Sequence, residues 1–130
     1  MTLEQLYGIA ADYGIEIDDF PMRSLRAVAL PEGCIAMDRR KFADETEYKC
    51  VLAHEIGHCV TQSFYFFDSE PSVREFSERQ ANFWAVESLV PVNKLRHAIR
   101  RGILHPMHLA RMFDVTDRII RVALELYDGF

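Results

Sequence analysis

Cysteine is scarce in these 130 residues, glycine and proline are few, and no long apolar run occurs. Three cysteines, Cys34, Cys50 and Cys59, are too few and too odd in number for the disulfide framework of a small secreted domain, so a reducing cytoplasm is the expected setting. Six Gly and five Pro exclude a collagen-like or low-complexity chain. Apolar runs stop at short stretches such as Phe64 to Phe67, far below the roughly 18 residues of a membrane span. Near the start, Glu4 and Asp12 stand where a signal peptide would carry its basic region, so none is expected. Positive charge is not in excess: the net charge of -5 disfavours a protein devoted to coating nucleic acid.

What is present is globular. Apolar residues make up 49% and charged residues 27%, and the length suits one domain. The charge is uneven, with 8 Lys/Arg against 16 Asp/Glu in residues 1–91 and 7 against 4 in residues 92–130. Thr2 and Gln5 have the spacing of a capping box ahead of Leu3, Leu6, Ile9, Ala10 and Tyr13, and Gly14 is placed to stop that helix. Ala27 to Leu30 and Cys34 to Met37, separated by Pro31-Glu32-Gly33, read as a hairpin. Asp44 and Glu47 cap a helix running to about Val60 that is apolar almost all round, as befits a helix crossing the interior. Ser72 and Glu75 are expected to cap the next helix, which should end before Pro91. Helices over Lys94 to Arg101, His105 to Phe113 and Thr116 to Tyr127 follow. The fold class is therefore α+β, a small sheet packed on five or six helices, with residues 1–91 as the core and 92–130 as a helical extension.

Chemistry concentrates in His54-Glu55-Ile56-Gly57-His58. Histidines four apart lie on one helix face, so both imidazoles can reach one metal ion. Glu55, roughly 100° around the helix, can touch a water at that metal without ligating it. Burying these groups without partners would be costly. A catalytic zinc site wants a third protein ligand. The chain has Thr61 and Phe64 where the metzincin pattern needs Gly and His, so that class is excluded. Glu75 and Glu78 remain as candidates. Glu78 is favoured, because Glu78, Asn82, Ala85 and Leu89 form one stripe, and the small Ala81 and Gly57 would let the two helices approach closely. Asn82 could accept the second N–H of a ligating histidine and so fix its tautomer.

The HEIGH segment, followed by Glu78-Arg79-Gln80-Ala81-Asn82-Phe83-Trp84-Ala85 and by Leu89-Val90-Pro91, resembles the ImmA/IrrE family of metallopeptidases. The hairpin and Leu109-Ala110-Arg111-Met112-Phe113-Asp114-Val115-Thr116 extend the likeness over most of the chain. Trp84, Val90 and the reduced Ser88-Leu89 depart from it in positions that concern packing. The resemblance implies a zincin-like fold, one Zn2+ per chain on His54, His58 and Glu78, and Glu55 as general base. It further implies an intracellular endopeptidase of phage or mobile-element origin that cleaves a helix-turn-helix repressor. Tyr65, His97, His105 and His108 are unranked candidates for a helper hydrogen-bond donor.

Other features read more simply. Phe64 to Phe67 is taken as core, and the cysteines, including Cys50 on the histidine face, as buried reduced thiols. His105 and His108 lack a carboxylate partner for a second metal site. Substrate is expected to pair with an exposed strand at Cys34 to Met37. The alternative function is a DNA-binding or repressor-binding regulator that acts without proteolysis. It would use the basic helices of residues 92–130, whose cadence is that of a helix-turn-helix with Arg118 and Arg121 on the second helix.

Overall fold

A computed structural model describes residues 1–127; residues 128–130 at the end of the expected extension lie outside the described residues. Helix α1, Leu3–Asp12, opens on the reciprocal Thr2–Gln5 capping box. It closes at Gly14, whose φ of 70° no β-carbon tolerates easily, so that the Ile15 N–H folds back onto the Ala10 carbonyl. The strands β1 (Glu16–Asp19), β2 (Ala27–Leu30) and β3 (Cys34–Met37) form one sheet in the order β1-β3-β2. β2 and β3 are the antiparallel hairpin read from the sequence, turned at Gly33 with φ 91°.

β1 was not foreseen. Its Glu-Ile-Asp-Asp sequence carries only one apolar residue, yet it pairs in parallel with β3, Ile17 opposite Ile35. This corrects the expected docking strand: Cys34–Met37 is the central strand, hydrogen-bonded on both sides, and the open edge beside the hairpin belongs to β2. The Asp38 N–H bonds the Arg26 carbonyl, so Arg26 faces β3. By the period of two, the backbone groups of Ala27 and Ala29 point to the open edge.

A 3-10 turn at Arg39–Lys41 leads to α2 (Glu45–Thr61), capped by the Asp44 carboxylate on the Glu47 N–H at 2.9 Å. Helix α3 (Pro71–Leu89) starts one residue before the expected Ser72 cap. Pro71 occupies the first helical position, where its missing N–H costs nothing, and Glu70 precedes it. Then come α4 (Val92–Arg100), α5 (Pro106–Phe113) and α6 (Asp117–Leu126), with Thr116 capping α6. The core joins Leu6, Ile35, Met37, Leu52, Ile56, Leu89, Leu95, Leu109 and Ile120, so α2 lies inside with the sheet on one side and α3 to α6 around it. Among the described residues no helix is long and apolar enough to cross a membrane.

A close backbone approach between α2 and α3 sets the site. A β-carbon on Gly57 would lie 2.6 Å from the Ala81 carbonyl oxygen and 3.0 Å from its Cα. Only glycine in α2 facing a small residue in α3 permits this spacing.

Candidate metal centre and its cleft

Helix α2 presents His54 and His58 one turn apart, their rings edge to face at 4.8 Å between centroids. Across the Gly57–Ala81 contact, α3 delivers Glu78. Its Oε2 lies 2.7 Å from His54 Nε2 and 3.8 Å from His58 Nε2. Among the described residues these three are the one group of His, Cys, Asp or Glu side chains able to share an ion. Glu75 stays exposed and outside it.

The outer nitrogens are occupied. His54 Nδ1–H donates to Asn82 Oδ1 at 2.8 Å. His58 Nδ1–H donates to the Ser63 carbonyl at 2.7 Å, with the Ser77 hydroxyl 3.2 Å away. A neutral imidazole whose Nδ1 carries the proton has a bare lone pair on Nε2. With both imidazoles in that tautomer, two lone pairs and a carboxylate converge on one point, where they could share a cation. Two nitrogens and an oxygen are the donor set of a three-ligand catalytic zinc site. The residues fit a divalent metal.

Charge follows geometry. When the imidazoles are instead protonated at both nitrogens, hydrogen bonds from His54 and His58 hold the Glu78 carboxyl well below the usual carboxylate range. Burial pulls the His58 imidazole down, but Glu78 and the Ser63 carbonyl outweigh it and raise its pKa above the ordinary value. Glu55 sits half-buried beside the cluster; desolvation pushes its carboxyl up, opposed by the two histidines and by a backbone hydrogen bond from Ala29 on the β2 edge. Tyr65 donates its hydroxyl to Glu78 Oε1 at 2.6 Å, a bond that with burial pushes its own pKa up to about 12. Arg74 lies over the Tyr65 ring, 5.0 Å from its centroid.

Tyr65 is thus the one helper-donor candidate in contact with the cluster. His97 lines a separate cavity with residues of α1, and His105 caps α5 through Nδ1 with His108 beside it. Ser63, Ser77, Ala29 and Arg74 were not foreseen. Ser63 reaches His58 because Gln62 takes a left-handed cap, φ 53°, that returns the chain onto α2; no glycine marks that turn in the sequence.

The aromatic run corrects the core reading. Phe64 packs beside His58, but Phe66 and Phe67 are 64% and 94% exposed. They rim a cleft of about 490 Å3 bounded by Ala27 to Ala29, Glu55, His58 and Glu78. Cys50 and Cys59 are buried, outside the group of three, and Cys34 is half-buried. Helices α5 and α6 are joined by a short turn with Asp114 left-handed. The first turn of α6 faces a second cavity on the histidine side.

The family model described as Peptidase_M78, IrrE N-terminal-like domain, matches residues 15–125, from the sheet to the last helix. No curated protein matches the chain.

Proposed function

The chain belongs to the Peptidase_M78 family of IrrE N-terminal-like domains, a metallopeptidase family, and from that premise we propose that it is a zinc-dependent endopeptidase. The single observation that carries this reading is the convergence of His54 Nε2, His58 Nε2 and Glu78 Oε2 with both Nδ1 positions already bonded. In this reading those three side chains hold one Zn2+. When bound, the ion supplies Lewis acidity, polarising a peptide carbonyl and making water a nucleophile near neutral pH.

The remaining steps belong to the chain. Glu55, half-buried beside the three side chains, takes a proton from the attacking water and hands it to the leaving amine. Asn82 fixes the His54 tautomer and Ser63 that of His58, each keeping Nε2 as the donor atom. Tyr65 engages one oxygen of Glu78 and leaves the other toward the histidines. Substrate pairs with the open edge of β2 by backbone hydrogen bonds, laying its chain beside Glu55. The aromatic rim of Phe64, Phe66 and Phe67 then covers apolar side chains.

The substrate we propose is a helix-turn-helix repressor in the same cell, as the family resemblance implies, and the setting a regulatory one in the cytoplasm. The test is direct. Zinc-loaded protein incubated with the repressor encoded beside its gene should cut it, chelator should stop the reaction, and Glu55→Gln should lose cleavage while retaining zinc. Undiminished cleavage by zinc-loaded Glu55→Gln would contradict the role given to Glu55.

A further inference from the structure

Two cavities open on the His–Glu cluster and share Glu78. The first is the β2 cleft. The second, about 480 Å3, lies between α2 and the first turns of α6, reaching His54, Glu78 and Asn82. Its apolar wall is Cys50, Val51, Ile119 and Val122, a surface inside a cavity large enough for a sizeable aliphatic or aromatic side chain. Its charged groups are largely matched: Arg26 pairs with Glu47 at 2.8 Å, and Asp117 with Arg121 at 3.4 Å. Arg118, exposed at the rim, is the one lining cation with no ion-pair partner among the described residues.

Position ties this cavity to the cleft. Arg26 immediately precedes β2, so a chain paired with the Ala29 and Ala27 edge runs on toward it. Resting on the peptidase reading, we propose that the cavity between α2 and α6 is a specificity subsite. It takes an apolar side chain of the protein substrate next to the cleaved bond, and Arg118 pairs with an acidic residue flanking it. The first turn of α6 forms a wall of this subsite.

Val122, half-buried on the wall, is the residue to fill, and Arg118 the residue to reverse. A proteome-derived peptide library is digested with the zinc-loaded full chain and the cut sites are read by mass spectrometry. The same library is bound to zinc-loaded Glu55→Gln protein and the retained peptides are sequenced. Wild type should select Leu, Met or Phe at one position, with Asp or Glu nearby. Val122→Trp, with zinc content and melting temperature matching wild type, should lose the large residues by about tenfold or more and shift to Gly and Ala. Val122→Ala should broaden selection toward aromatics, and Arg118→Glu should exchange the acidic neighbour for a basic one. Unchanged profiles in Val122→Trp and Arg118→Glu would overturn the subsite and leave the peptidase reading standing. A library left uncut, yet retained by Glu55→Gln protein in a manner that depends on Val122 and Arg118, would make the cavity a peptide-binding pocket, overturning both its role beside a cleaved bond and the peptidase reading. A library neither cut nor retained would remove both.

Discussion

Asn82 shows what a single side chain adds beyond the ligands. Its Oδ1 accepts the His54 Nδ1 proton at 2.8 Å, which leaves Nε2 to face Glu78. Asn82→Ala should weaken zinc affinity by about 10- to 100-fold with little loss of helix, measured by competition with a colorimetric chelator. A second residue-scale prediction concerns Asp38, buried just after β3. Two hydrogen bonds from Arg40 at 2.9 Å and one from the Met22 N–H at 3.0 Å hold its carboxyl far below the usual range. A carboxyl depressed in the folded chain gives its stabilisation in full above the unfolded value of about 3.9 and surrenders it as pH falls through the folded one. Asp38→Asn should therefore melt lower than wild type at neutral pH, and the gap should narrow only in strong acid. That His54 and His58 share one helix face was legible in the sequence, because it follows from their fixed spacing. Ser63 was not, because its carbonyl acts through a left-handed turn at Gln62 that no glycine announces.

At the scale of elements, α2 and α3 are held at a distance fixed by backbone contact. Gly57→Ala places a methyl group 2.6 Å from the Ala81 carbonyl, where backbone cannot yield as a flexible side chain would. The helices must part, at a cost of about 1–3 kcal/mol in unfolding free energy by denaturant titration. Zinc affinity should fall with it, since Glu78 moves with α3 while the histidines move with α2. Retained affinity in a destabilised Gly57→Ala protein would show that the spacing serves packing alone. Helix signals were clear in the sequence because caps and periodicity are local: Thr2, Asp44 and Thr116 all bond as their positions suggest. The sheet was half legible. The hairpin announces itself through Pro31-Glu32-Gly33, whereas β1 is polar and exists only through its partner β3. Missing it made an interior strand look like an edge and displaced the expected docking strand from β2.

For the whole molecule, the His–Glu cluster joins the interior helix to the first helix packed over it, so an ion held there would link binding to folding. A ligand present at 100 times its dissociation constant and bound only by the native state adds about 2.7 kcal/mol. Chelation should therefore lower the melting temperature, and zinc should restore it in a concentration-dependent way. Glu75→Gln, at an exposed position outside the cluster, should leave that response intact. The exposed Phe66 and Phe67 had looked like core from their composition alone. Burial is a property of the assembled molecule, and a run of aromatics next to the helix that carries the two histidines serves equally as the rim of a cleft.

The claim beneath all of this is that His54, His58 and Glu78 bind one divalent ion together, and metal titration of Glu78→Gln beside wild type tests it most directly. The account predicts one zinc per wild-type chain, with two imidazole nitrogens and one carboxylate in its X-ray absorption spectrum, and a large loss of affinity in the variant. Stoichiometric zinc held with unchanged affinity and unchanged coordination by folded Glu78→Gln protein would contradict it.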